Sequence, residues 1–244
     1  MTTANDRRAS PGNEAPHRDS LTPGEHIDSN HPQVVDFANA RTRGANGERE
    51  AAVRLYYAVR DDIRYDAYMA GSTVEVLRAS DALRAKRGWC VSKAVLLAAC
   101  ARAAGIGARV GFADVRNHLS TARMREFMGT DVFYYHGYAQ LHVEGQWVKA
   151  TPAFNIELCE KMELLPLEFD GRTDSLYHPF DRDGRAHMEY IRDHGVFDAV
   201  PVAMMVASWN AHYRTAETSI EDSGEWSTGA ADFDGDVEAE LKGN

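Results

Sequence analysis

Cysteine is scarce in this chain: 244 residues hold three, Cys90, Cys100 and Cys159, with no C-x-x-C spacing among them. An odd, widely spread set makes neither a disulfide framework nor a zinc site. Also missing is any apolar run approaching the roughly 18 residues of a membrane-spanning helix. The amino-terminal stretch lacks the charged start, apolar middle and small-residue cleavage site of a secretory signal. Together these absences predict a soluble, cytoplasmic protein that works without a metal or an organic cofactor and does not engage a membrane. There is no internal repeat, so a stacked repeat architecture is excluded.

An excess of basic charge is lacking too. The net charge is −10, but residues 216–244 hold nine of the 37 acidic residues and only Lys242 among the basic ones, leaving 28 acids and 26 bases elsewhere. A nearly neutral body trailing an acidic tail makes nucleic acid an unfavourable partner. The run Asp232-Phe233-Asp234-Gly235-Asp236 glances toward a calcium loop, yet its glycine stands fourth, and twelfth place holds Gly243 in place of a glutamate. Residues 1–30 contain no apolar run and are rich in Pro, Ser, Thr, Asn and charge. Such composition cannot repay the entropy of ordering, so the expected division is a disordered leader (1–30), one domain (31–215) and a disordered acidic tail (216–244).

Within the domain, hydrophobic spacing predicts a short helix carrying Val34, Val35, Phe37 and Ala38, then an interruption from Gly44 to Gly47. A second helix over about 48–63 presents Ala52, Leu55, Tyr56, Val59 and Ile63 at three- and four-residue spacing. The third, from Cys90 to Ala104, has only Ser92, Lys93 and Arg102 as polar members after its first residue, and Gly105-Ile106-Gly107 stops it. A helix that is apolar nearly all round is buried. Residues 108–113 then read as a strand, and 132–150 as a β-hairpin around Glu144-Gly145. Beyond Pro152 the chain reads as loop to about Asp183. A last helix, around Val200–Tyr213, covers the core.

Cys90 is the feature that points to chemistry. The first turn of a helix offers unpaired N–H groups and a partial positive charge, which stabilise a thiolate and can hold a developing oxyanion. Cys100, mid-helix among Leu96, Leu97 and Ala103, reads as an inert core thiol, and Cys159 has no evident partner. A thiol nucleophile needs a base, and the base needs a third group to orient it. If Glu144-Gly145 closes the hairpin, Val143 faces Gln146 and His136 falls opposite Ala153. Alternation then puts His136, Tyr138, Gln140 and His142 on one face with 147, 149, 151 and 153. His136 is thereby the candidate base, with Thr151 beside it to orient the imidazole. His142 lies too near the turn, while His118, His178, His187 and His194 sit in loop-like segments without metal-ligand spacing.

The blocks Arg87-Gly88-Trp89-Cys90-Val91-Ser92-Lys93-Ala94-Val95-Leu96-Leu97 and Arg102-Ala103-Ala104-Gly105-Ile106-Gly107-Ala108-Arg109 resemble the nucleophile helix, and its exit, of the transglutaminase-like fold of papain-related thiol enzymes. His136-Gly137-Tyr138 and Gly145-Gln146-Trp147-Val148-Lys149-Ala150-Thr151-Pro152 are similar to that family's histidine strand and return strand. Val59–Tyr65 is similar to the segment leading into the domain, so the likeness spans roughly 45–155. The resemblance implies an α+β fold, with Cys90 as nucleophile and His136 as general base. It departs at Thr151, where the family usually places an aspartate; a hydroxyl orients imidazole but supplies no charge to imidazolium. Asn155 is the nearest substitute orienter.

The expected function is thiol-dependent acyl transfer or hydrolysis at an amide or peptide bond through a thioester, on a peptide, a protein or a small-molecule amide. Two rivals stand beside it: amine acylation in small-molecule biosynthesis, and a binding module that keeps the fold without the chemistry, which the missing aspartate favours.

Overall fold

A computed structural model of the chain describes residues 15–71, 77–117, 121–176, 188–213 and 233–243. Three helices form first: α1 (Pro32–Thr42), α2 (Glu48–Asp62) and α3 (Ala79–Ala85). Pro32 opens α1 at a position where its missing N–H costs nothing. The stripe Ala52, Leu55, Tyr56 and Val59 is the buried face of α2. Two short strands, β1 (Arg64–Tyr65) and β2 (Arg87–Gly88), pair in parallel and lead into α4 (Cys90–Ala103).

All of α4 from Cys90 to Arg102 is buried. It lies at the centre of the molecule, with α1, α2 and α3 against one side and the main sheet against the other. Its start is fixed by Ser92, whose Oγ accepts the Trp89 N–H at 3.0 Å. At its end Gly105 takes φ +79°, and the Ile106 N–H returns to the Ala101 carbonyl at 2.9 Å.

The main sheet holds β3 (Ala108–Asn117), β4 (Val132–Val143), β5 (Gln146–Ala150) and β6 (Met188–Phe197) in the antiparallel order β5-β4-β3-β6. The fold is thus α+β. The hairpin has the expected register, from Val143↔Gln146 to Ala139↔Ala150. Pairing stops there, so His136 lies opposite Ala113 of β3 and is not paired with Ala153. The chain leaves the sheet because Thr151 gives its N–H to the Ser175 carbonyl at 2.8 Å.

Three further elements and the leader depart from the sequence reading. Helix α5 (Ala122–Met128) precedes β4, and α6 (Ile156–Lys161) lies in the stretch expected to be loop. His194 is on β6 and not in a loop; that strand is an exposed edge with irregular pairing, so it carries no apolar alternation to read. His118, His178 and His187 lie outside the described residues. The leader is packed from residue 15 onward: Ile27 is fully buried, and the Arg102 guanidinium holds the Thr22 carbonyl at 2.6 Å along with those of Ala108 and Asp198.

Helix α7 (Val202–His212) forms where expected, and α8 (Phe233–Gly243) ends the described chain. The acidic tail is therefore structured over 233–243, where Phe233 and Val237 are buried. Asp234 pairs with Arg64 and Asp236 with Arg123, so the two described carboxylates of the apparent calcium run are taken up by arginines. Among the described residues no helix is long and apolar enough to cross a membrane.

Candidate active site

Cys90 is the first residue of α4 and is 2% exposed. Burial pushes its thiol up to about 12, against the opposing pull of backbone N–H groups from Gly137, Val91 and Cys90 itself. Gly137 follows His136 directly, so α4 begins against the strand residue next to the candidate base. Contact at this point requires glycine: a Cβ on residue 137 would come within 2.8 Å of the Val91 Cα and 3.3 Å of the Cys90 carbonyl oxygen.

Since Gly137 faces α4, strand alternation starts the His136 side chain from the other face of the sheet. That face holds the expected company: the Lys149 ammonium lies 5.1 Å over the Tyr138 ring, and the His142 and Trp147 rings are 5.1 Å apart. His136 is 3% exposed. Beside it the outer edge of β4 is free of β5, whose pairing ended at Ala139. An imidazole at 136 therefore stands on a part of β4 that has no β5 partner.

Thr151 is 3% exposed. Its carbonyl accepts the Tyr56 O–H at 3.2 Å, while its hydroxyl makes no hydrogen bond among the described residues. The structure thus takes Thr151 out of the hairpin, and its hydroxyl forms no bond to the imidazole. Asn155 is otherwise engaged, because its Oδ1 accepts the Tyr65 N–H at 3.0 Å.

Aromatic residues close the thiol in. Trp209 of α7 donates its indole N–H to the Tyr134 carbonyl at 3.0 Å and packs 5.5 Å from Trp89. Tyr213 accepts the Tyr134 N–H at 2.8 Å. Tyr65 and Tyr213 have raised phenol values, first through burial, with a further push from negative charge at Cys90. The last helix therefore covers the candidate nucleophile as well as the core.

Sequence reasoning missed two buried ionisable groups nearby. Asp114 on β3 is 5% exposed, and His194 meets it at 2.7 Å. An aspartate within a run of strand-forming residues was the available signal, because aspartate is disfavoured there. Lys93, one turn past Cys90, donates its ammonium to the carbonyls of Arg60 and Ile63. Burial lowers it to about 7. Cys100 and Cys159 are fully buried, and the three cysteines are thiols outside any disulfide.

A buried helix thus begins with a thiol and packs against the strand that carries His136. Residues 35–152 match the model of the Transglutaminase-like superfamily, and this stretch of the chain is a transglutaminase-like core. Two solved structures are loosely similar. One is the Putative Cysteine Protease from Cytophaga hutchinsonii, 14% identical, with 73% of this chain and 53% of that chain covered at a TM-score of 0.43. The other is the Putative Protease from Parabacteroides distasonis, 18% identical, with 58% and 27% covered at a TM-score of 0.38. This chain spans only about half and about a quarter of their lengths. Neither likeness is close enough to carry residue roles across. Among curated protein sequences there is no match.

Proposed function

We propose that the protein transfers or hydrolyses acyl groups at an amide or peptide bond, with Cys90 as nucleophile. The observation that carries this reading is the Cys90 thiol at the start of α4, held by the N–H of Gly137, the residue after His136. In the proposed cycle the imidazole of His136 takes the thiol proton. The sulfur forms a bond to the substrate carbonyl carbon, and the N–H groups at the start of α4 receive the oxyanion. Collapse breaks the carbon–nitrogen bond, and the imidazolium returns its proton to the departing amine, leaving a thioester. Water then releases an acid, or a second amine takes the acyl group. In this proposal the Thr151 hydroxyl, which makes no hydrogen bond among the described residues, turns to orient the imidazole. The substrate is a peptide, a protein or a small-molecule amide.

One pair of observations favours a second reading, a binding module that keeps this fold. Cys90 is sealed under aromatic rings with its thiol pushed up to about 12, and no carboxylate stands at Thr151. The two readings separate in the pH profile of Cys90 alkylation by iodoacetamide. An enzyme shows an inflection below the ordinary thiol value of about 8.5 that His136→Ala removes. A binding module shows slow alkylation with an inflection at or above that value, unchanged in His136→Ala.

A further inference from the structure

His136 follows a strained piece of backbone. Tyr135 is not glycine, yet its φ is +59°, where an L side chain crowds the following carbonyl. Between Ala113↔His136 and Val115↔Phe133, β4 spends one residue more than β3, so Tyr134 and Tyr135 form a bulge just ahead of the candidate base. Left-handed backbone of this kind is costly and persists only where its surroundings over-determine it.

The surroundings here are specific. One carboxylate oxygen of Asp114 accepts the Tyr135 N–H at 3.1 Å and also meets the His194 Nε2 at 2.7 Å. The His194 ring lies flat on the Tyr135 ring, with centroids 4.0 Å apart and planes 15° from parallel. The pair therefore grips Tyr135 twice, at its backbone through Asp114 and at its ring through His194. From the other side, Trp209 and Tyr213 hold both backbone groups of Tyr134. Both Asp114 and His194 are nearly sealed from water, their side chains 7% and 8% exposed. A buried charge costs several kcal/mol unless it is well bonded, which makes such a pair unusual in a sheet without a task.

We infer that Asp114 and His194 are positioning residues: they lock the left-handed turn at Tyr135 and so set the direction from which the His136 imidazole leaves the strand. They touch neither substrate nor thiol. Their action is to deliver the base, compensating in geometry for the aspartate that Thr151 replaces. This rests on the assignment of His136 as base, so the test separates the two.

The experiment is the iodoacetamide pH profile of Cys90 in the full chain, read by mass spectrometry of the Cys90 peptide, with a melting curve for each variant. Asp114→Ala is expected to raise the inflection by about one pH unit and slow alkylation at pH 7 about tenfold, one unit being a tenfold change in thiolate. Asp114→Asn keeps an oxygen that can accept the Tyr135 N–H, and it is expected to stay within about threefold of wild type, a rescue that loss of a mere core contact would not show. An Asp114→Ala profile that overlays wild type, while His136→Ala abolishes the inflection, overturns the inference and leaves the base assignment standing. If His136→Ala also overlays wild type, the assignment falls and this inference with it. Should Asp114→Ala fail to fold, His194→Ala is compared with His194→Gln, whose amide N–H can still hold the carboxylate. A shift in the former, largely suppressed in the latter, supports the inference, and equal profiles overturn it.

Discussion

Gly137 shows how much one absent methyl can decide. It lets β4 touch the first turn of α4, bringing a backbone N–H to the Cys90 thiol beside His136. Gly137→Ala should force the two elements apart by several tenths of an ångström and destabilise the protein by about 2 kcal/mol, the usual cost of overpacking a dense core. The same change should alter Cys90 alkylation more than Gly24→Ala, where the backbone is ordinary and nothing lies near the absent side chain. Urea unfolding and alkylation rates measured side by side check this. Equal behaviour of the two variants would mean that the close approach does not matter.

Among the elements, α8 is the one whose hold on the rest is mostly electrostatic. Its acids meet Arg64, Arg123 and Lys161, and the Glu240 carboxylate receives the Ala122 N–H at 3.1 Å. Only Phe233 and Val237 are buried beneath it, with the Phe233 ring 5.5 Å from Tyr65. Exposed ion pairs contribute about 0.2–1 kcal/mol each and are screened within about 3 Å at 1 M salt. Raising sodium chloride from 0.05 M to 1 M should therefore speed amide hydrogen exchange across 233–243 while α4 stays protected. Exchange there that is insensitive to salt would place the hold in the two apolar anchors instead.

At the scale of the whole molecule, Lys93 ties stability to pH. Burial lowers it from 10.5 to about 7, so between those values the unfolded chain binds more protons than the folded one. Stability then rises as pH rises through this window. The buried thiol of Cys90, raised to about 12 by burial, works in the opposite sense once free thiols ionise above about 8.5. From pH 7 to 8.5 the unfolding free energy should climb by about 1 kcal/mol, against a ceiling of 1.36 kcal/mol per pH unit for one proton. Lys93→Met removes the titrating group and should flatten this slope, whatever its effect on absolute stability. An unchanged slope in Lys93→Met would assign the effect to another group.

What the order of residues alone determined about this protein is whatever depends on local period and on the chemistry of single residues. Helix α4 was legible because its apolar surround and Gly105 stop leave no other structure, and the β4–β5 register because a two-residue turn and alternation of two admit one pairing. The transglutaminase-like core followed from those two blocks standing in order. The tertiary structure alone decided where that regularity ends. The hairpin pairing stops at Ala150 because Ser175, far along the chain, captures the Thr151 N–H, and the same long-range choice leaves the edge beside His136 open. Likewise β6, an exposed edge without a buried face, left no pattern to read, so neither the Asp114–His194 pair nor the order in α8 was visible beforehand. Those features rest on partners 80 to 170 residues apart, at His194 with Asp114 and Asp234 with Arg64. Contacts of that span come from packing the whole chain, and no local period records them.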